Sequence, residues 1–311
     1  MKLSEAIDTY IRRRRAAGAH LRSSETMLHS FLRYCGDADL KRVGTLSITN
    51  FLNGRGGVRP GTWRAKYGAL KLFFAYWCLR GRLRRSPVPP SAPKRPQDFI
   101  PYIYSRAELQ RLLGALPQCQ SYPSCLICAV TFRTLLLVLY GTGMRLGEAL
   151  RLRVADVDLT NNLIRIRETK FYKSRLVPIG RDVHRVIEEY LASPNRTNES
   201  QSPLFQSIQQ KPIRSAIAQR TFKRLRKMCE LQRPVTCSFQ PRIHDLRHTF
   251  AVHRVTEWYR QGTDVQKLLP ALSTYLGHVS LESTRRYLSM TPELLQHAND
   301  RFERYASGGV R

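Results

Sequence analysis

Six polar residues in the second half of the chain have the types and order that breaking a phosphodiester calls for: Arg145, Lys170, His244, Arg247, His278 and Tyr287. Tyr287 follows the short run Leu276-Gly277-His278 at a spacing of nine residues from the histidine. A phenol is a nucleophile once it loses its proton, guanidiniums grip phosphate oxygens with paired donors, and lysine or histidine can move a proton at a departing oxygen. Taken singly, none of the six says much. A tyrosine is ordinarily an amphipathic packing residue, a lysine on a turn is ordinarily solvated, and a histidine three before an arginine arises readily by chance.

The elements that must position them can be read around each residue. An apolar helix from about Thr131 to Tyr140 ends in Gly141-Thr142-Gly143, and Met144 to Leu152 restarts as a helix with Arg145 in its first turn. Backbone amides there favour an anion, and the guanidinium adds bidentate donors. A structural salt bridge from Arg145 to Glu148 explains the same residues equally well. Val154 to Val157, Leu163 to Arg167 and Leu176 to Ile179 read as three short strands, with Asn161-Asn162 turning the first hairpin and Phe171 to Ser174 the second. Lys170 sits at the mouth of that second turn, with Lys173 as a competitor in the same loop. His244 and Arg247 share a helical face and can aim two donors at one phosphate. Asp245 and His248 point elsewhere and read as structural partners.

The whole chain is built for a polyanion. Its 311 residues hold 52 Lys and Arg against 23 Asp and Glu, a formal charge of +29, far more than solubility requires. The front is densest, with 20 basic and 5 acidic residues in 1–95. A hydrophobic content of 42% argues against a disordered basic tail. Before position 86 the pattern is helical throughout, in segments of about 3–17, 23–35 and 46–53, then a fourth in which Trp63, Tyr67, Leu70, Phe74 and Trp77 draw one apolar stripe while Arg64 and Lys71 lie on another face. The run Arg12 to Arg15 reads either as a solvated face or as a DNA contact. Ser86 to Pro101 holds six prolines with Arg84, Arg85, Lys94 and Arg95 close by, so it reads as a basic linker. Ser105 and Glu108 form a capping box that opens a helix running to about Leu116. Seven cysteines fit a reducing compartment, and Cys119, Cys125 and Cys128 give one CxxC without a second pair, a weak sign of metal. No metal or other cofactor is expected. Neither a signal-peptide pattern nor a membrane-length apolar run occurs, the longest being Leu135 to Tyr140, so the expected compartment is the cytoplasm, with no membrane partner.

Gly141 to Leu150, the lysine hairpin ending in Arg175 to Ile179, His244 to Phe250, Leu276 to His278, and Tyr287 stand in an order and at separations that resemble the tyrosine recombinase family, also called the phage integrase family. The resemblance covers 102–290. It implies a mainly α fold with a small antiparallel β-sheet: a helical core-binding domain over 1–85, the linker over 86–101, and a mixed α+β catalytic domain over 102–311. It also implies site-specific DNA strand exchange without metal or nucleotide. Arg145 and Arg247 would clamp the scissile phosphate, His244 and His278 would donate to its other oxygens or assist proton transfer, Lys170 would protonate the departing 5′-hydroxyl, and Tyr287 would attack to leave a 3′-phosphotyrosyl intermediate. The partners implied are double-stranded DNA and a homotetramer assembled on two DNA sites. The amphipathic segment Pro292 to Tyr305, with Leu294, Leu295, Ala298, Phe302 and Tyr305 at helical spacing, would dock on the next subunit.

Two departures from the family pattern stand out. The lysine hairpin reads Lys170-Phe171-Tyr172-Lys173 where many relatives are glycine-rich, and Thr256 to Leu272 make the stretch between Arg247 and Leu276 longer than in compact members. A type IB topoisomerase would use a similar site, but it carries a large capping region for which this chain has no room. A basic DNA-binding protein with a silent site would leave the six positions under no pressure to be filled together, and an RNA-binding protein would show no preference for duplex.

The charge generates a direct expectation. If about 6 to 10 phosphates are neutralised, duplex affinity falls by roughly 10³ to 10⁵ between 50 and 200 mM salt. Titration of a fluorescent duplex at several salt concentrations checks this, and a flat response counts against a duplex clamp.

Overall fold

The computed structural model describes all residues except 20, 55–56, 59, 93–99, 123–124, 168–173, 195, 235–236, 238, 279–281, 286 and 288–311. The chain divides into two compact units, Met1–Phe99 and Ile100–Arg311.

The first unit consists of α1 (Leu3–Ala16), α2 (Arg22–Cys35), α3 (Thr45–Asn53) and α4 (Pro60–Leu79). In α1 the buried residues are Leu3, Ala6, Ile7, Tyr10 and Ile11, the spacing of a single helical face. That face meets α4 through an edge-on contact of Tyr10 with Phe73, and Phe31 of α2 meets Phe51 of α3 in the same way. The stripe read from the sequence of α4 is the packed one, with Tyr67, Leu70, Phe74 and Trp77 buried. Arg12 to Arg15 are exposed. The start of the proline-rich stretch belongs to this unit, since Val88 is buried in its core and the Tyr67 hydroxyl donates to the carbonyls of Pro89 and Pro90.

The second unit opens with α5 (Arg106–Gly114), started by the Ser105–Glu108 capping box, and α6 (Leu116–Gln120). Its centre is α7 (Ala129–Thr142), which buries Phe132, Leu135, Leu136, Val138 and Leu139 on more than one face. Around it lie α8 (Leu146–Ala149), α9 (Arg181–Leu191), α10 (Ser215–Met228), α11 (Asp245–Arg260), α12 (Val265–Leu276) and α13 (Glu282–Arg285). A three-stranded antiparallel sheet of β1 (Val157–Asp158), β2 (Leu163–Ile166) and β3 (Arg175–Pro178) packs on this core in sequence order. Ile164, Ile166 and Val177 point inward, as the two-residue period of strands requires. No described helix is long and apolar enough to cross a membrane.

The architecture is the expected one, and three local readings change. Most of the first expected strand is a 3-10 turn over Val154–Asp156, because the Asp156 carboxylate takes the backbone N–H of Arg153 and the Arg167 Nε and so curls the chain. The helix expected over Met144 to Leu152 shrinks to four residues, leaving Arg145 extended before it. The stretch Thr256 to Leu272 is the end of α11 and most of α12, where Val265, Leu269 and Leu272 are buried packing residues.

Gly143 ends α7 at φ +61, and a Cβ there would lie 2.4 Å from Cδ1 of Phe250 and 2.8 Å from Cδ2 of Leu276. Left-handed backbone costs an ordinary residue about 1–2 kcal/mol, and overpacking about 1–3 kcal/mol more. Gly143→Ala is therefore expected to lose at least about 2 kcal/mol in urea unfolding; an unchanged midpoint would refute this account of the cap.

Candidate active site

Two helices, α7 and α12, end at left-handed glycines, Gly143 and Gly277. Their terminal carbonyls lack helical partners and carry the negative end of each helix dipole. Arg247 answers both. From the first turn of α11 its Nη1 donates to the Gly143 carbonyl at 2.8 Å and its Nη2 to the Leu276 carbonyl at 2.7 Å, and only 3% of the residue is exposed. Burial first, then the Arg145 charge, pull its pKa down to about 10, which leaves it cationic at neutral pH.

Arg145 precedes α8 with extended backbone. Its Nη2 donates to the Gly277 carbonyl at 3.1 Å and its Nη1 to Glu148 Oε1 at 2.8 Å. The side chain keeps 35% of its surface open, so it is anchored without being enclosed. Glu148 also accepts from the Arg145 backbone N–H at 2.9 Å and from both Nη atoms of Arg175, at 3.2 and 2.8 Å. Arg175, the first residue of β3, reaches the Tyr275 carbonyl with Nε. It packs so closely on Gly277 that a Cβ there would sit 2.9 Å from its Nη1. Glycine is thus demanded at 277 by its φ of +68 and by this contact.

His244 immediately precedes α11. The site around it partly withdraws it from water, though one side of the residue is open to solvent; this withdrawal and the charges of Arg247, Arg242 and Arg145 all lower its pKa. Burial and then Arg247, Arg145 and Arg175 push His278 down to about 4, so it is neutral at pH 7. Its Nδ1 meets the buried Thr284 hydroxyl at 2.7 Å. Tyr287 lies in the same small core as Phe250 and Leu276 with 2% of its surface exposed. Its ring stacks on His278 at 25° and a centroid distance of 6.1 Å. Its hydroxyl lies 3.2 Å from Nδ1 of His248, and the His248 ring meets His244 edge-on at 5.3 Å.

The sequence model of the phage integrase family matches residues 105–293. The chain belongs to this family. A Sinorhizobium fredii protein named as an integrase/recombinase, y4rB, is 36% identical over 306 residues, covering 96% of each chain. The tyrosine recombinase XerA of Thermococcus kodakarensis is 30% identical over 233 residues, 75% of this chain and 72% of that one. Among solved structures, the Tn1549 transposon integrase in complex with a circular intermediate DNA superposes with a TM-score of 0.67 at 17% identity, covering 97% of this chain and 99% of that chain. A lambda integrase tetramer bound to a Holliday junction gives 0.66 at 17% identity, with coverage of 92% and 77%. At this identity the structural likeness is one of fold.

Within this tyrosine recombinase, five of the six residues picked from sequence converge: Arg145 and Arg247 share the ends of α7 and α12, His278 lies beside them, and His244 and Tyr287 both contact His248. Lys170 and its competitor Lys173 fall outside the described residues; the hairpin that carries them leaves from the paired residues Ile166 and Arg175. The segment Pro292 to Tyr305 also falls outside. Asp245 is the structural partner expected, holding Arg242 at 2.8 Å. His248 meets the Tyr287 hydroxyl, a contact its position four residues after His244 foreshadows by putting both rings on one helical face. Arg175 was read only as part of the run that ends the lysine hairpin, with no role in the site. Among the described residues no group of three His, Cys, Asp or Glu is arranged to hold a metal; Cys128 instead caps α7, accepting from the Thr131 N–H.

Glu148 carries a pH signature. Burial alone would raise its pKa, but the hydrogen bonds and charges of Arg175 and Arg145 more than offset that and hold it at about 2 against an ordinary 4.5. A depressed carboxyl contributes its full stabilisation above its unfolded pKa and loses it as pH falls through the folded one. The wild type should therefore lose on the order of 3 kcal/mol between pH 5 and pH 2 that Glu148→Gln, already weaker at pH 7, does not lose. Urea unfolding of both proteins across that range checks this, and equal acid losses would contradict it.

Proposed function

We propose that the chain cleaves and rejoins duplex DNA at specific sites, with Tyr287 attacking the scissile phosphorus to leave a 3′-phosphotyrosyl ester. The observation that carries the reading is the pairing of Arg145 and Arg247 on adjacent helix ends, with Tyr287 stacked on His278. Charge accumulates on a pentacoordinate phosphorus, and donors already held in place stabilise it without reorganising. In this reading Arg145 and Arg247 clamp the phosphate, His244 and His278 donate to its remaining oxygens, and Lys170 protonates the departing 5′-oxygen. A neutral His278 suits a hydrogen-bond donor that does not add charge. The ester stores the energy of the broken bond, so rejoining needs no external source.

Residues 1–85 act as the core-binding domain that grips the duplex, 86–101 as a basic linker, and 102–311 as the catalytic domain. The docking segment Pro292 to Tyr305 ties four subunits together on two DNA sites in the cytoplasm. Membership of the family supports the reaction, and the charge of +29 supports the partner.

Covalent trapping tests the reading. The protein is incubated with nicked duplexes cut from the DNA flanking its own gene, denatured, and examined for protein shifted by attached DNA. An adduct is expected with the wild type and none with Tyr287→Phe. An adduct that survives in Tyr287→Phe removes Tyr287 from the role, and tight duplex binding with no adduct on any flanking duplex points to an inert binder.

A further inference from the structure

We propose that His248 is the base that takes the phenolic proton of Tyr287 as that oxygen attacks phosphorus, an assignment that rests on Tyr287 being the nucleophile. A phenol at neutral pH must lose its proton during attack, and with Tyr287 only 2% exposed a protein group at hydrogen-bonding distance is better placed to take it than bulk water. The Tyr287 oxygen is 3.2 Å from Nδ1 of His248, hydrogen-bonding distance for proton transfer. His278 is less well placed for the task, because its Nδ1 is engaged by Thr284 at 2.7 Å and its ring faces the Tyr287 ring at 25° and a centroid distance of 6.1 Å. His248 is also held still. It stands one residue after Arg247, whose guanidinium is fixed to two carbonyls, and the His244 ring abuts it edge-on. Base and phosphate clamp therefore move as one piece of α11.

The step balances without an added reactant. The Tyr287 O–H bond breaks, its electron pair stays on oxygen and becomes the new P–O bond, and the hydrogen passes to the Nδ1 lone pair of His248, whose ring becomes an imidazolium. The P–O5′ bond breaks with its pair on the 5′-oxygen, which takes a proton from the general acid assigned above to Lys170. On rejoining, the 5′-hydroxyl returns its proton to the lysine amine and His248 returns its own to the tyrosine oxygen.

The test uses the full chain, with Tyr287 either natural or replaced by 3,5-difluorotyrosine, whose more acidic phenol needs less help from a base. Rates of covalent adduct formation are measured on the flanking-DNA nicked duplexes, with duplex binding as the control for folding. His248→Ala is expected to slow adduct formation by about 10² to 10⁴ while still binding duplex, and difluorotyrosine is expected to restore at least about tenfold of that loss. His248→Gln keeps a hydrogen-bonding group that cannot take the proton; it is expected to be slow and rescued in the same way, and it serves alone if the alanine variant fails to bind. A wild-type rate in either variant, or a loss that is the same with both phenols, overturns the proposal, since a merely supporting histidine would not respond to phenol acidity. A wild type that forms no Tyr287-dependent adduct on any duplex overturns the parent reading, and this one with it.

Discussion

The buried guanidinium of Arg247 is the interaction on which the rest of the site depends. It donates to the carbonyls that close α7 and α12, so one side chain joins two helix ends far apart in sequence. Buried hydrogen bonds from a charged donor contribute about 1.5–3 kcal/mol each, and an orphaned acceptor costs a comparable amount. Here donor and acceptors satisfy one another, and the helix dipoles take part of the cost of burying a charge. Three other residues of the site are placed beside this joint: Arg145 reaches the next carbonyl at Gly277, Arg175 packs against the same glycine, and His278 follows it directly in the chain.

The joint works only because both helices stop abruptly. Gly143 and Gly277 turn the chain into the left-handed region, which frees carbonyls at the place where the arginines need them and leaves no side chain in the way. The small sheet contributes the rest. Its last strand starts with Arg175, so β3 is tied to Glu148 at its first residue.

Much of this was legible in the residues themselves. The apolar stripe of α4, the Ser105 capping box and the period-two burial of β2 all follow from spacing alone. The sequence left two readings of Arg145, a phosphate clamp or a bridge to Glu148. The bridge to Glu148 forms, and it does not exclude the clamp, because a guanidinium has more donors than one carboxylate takes up. What could not be read was tertiary. Arg175 looks like any strand residue until Glu148 is brought to it from a helix 27 positions earlier. The turn at Val154 to Asp156 was misread because its apolar residues suggest a strand, while an aspartate carboxylate decides its shape. The meeting of His248 with His244 was legible in their helical spacing, whereas its contact with Tyr287, 39 positions away, was not. Helices α9 and α10 went unread for want of a chemical motif in them.

One carboxylate bonded to two guanidiniums, with a third guanidinium close by, has an arithmetic consequence. Arg145, Arg175 and Arg247 bring three positive charges and Glu148 one negative, while the neighbouring Arg242 and Asp245 cancel each other and His278 is uncharged at pH 7. These described residues thus carry about two units of positive charge, to which Lys170 in its assigned role would add a third. A phosphodiester brings one negative charge, and a phosphorus attacked by a phenolate carries two. An occupant that gains negative charge as it reacts would meet a growing attraction here, the condition for holding a transition state more tightly than a ground state.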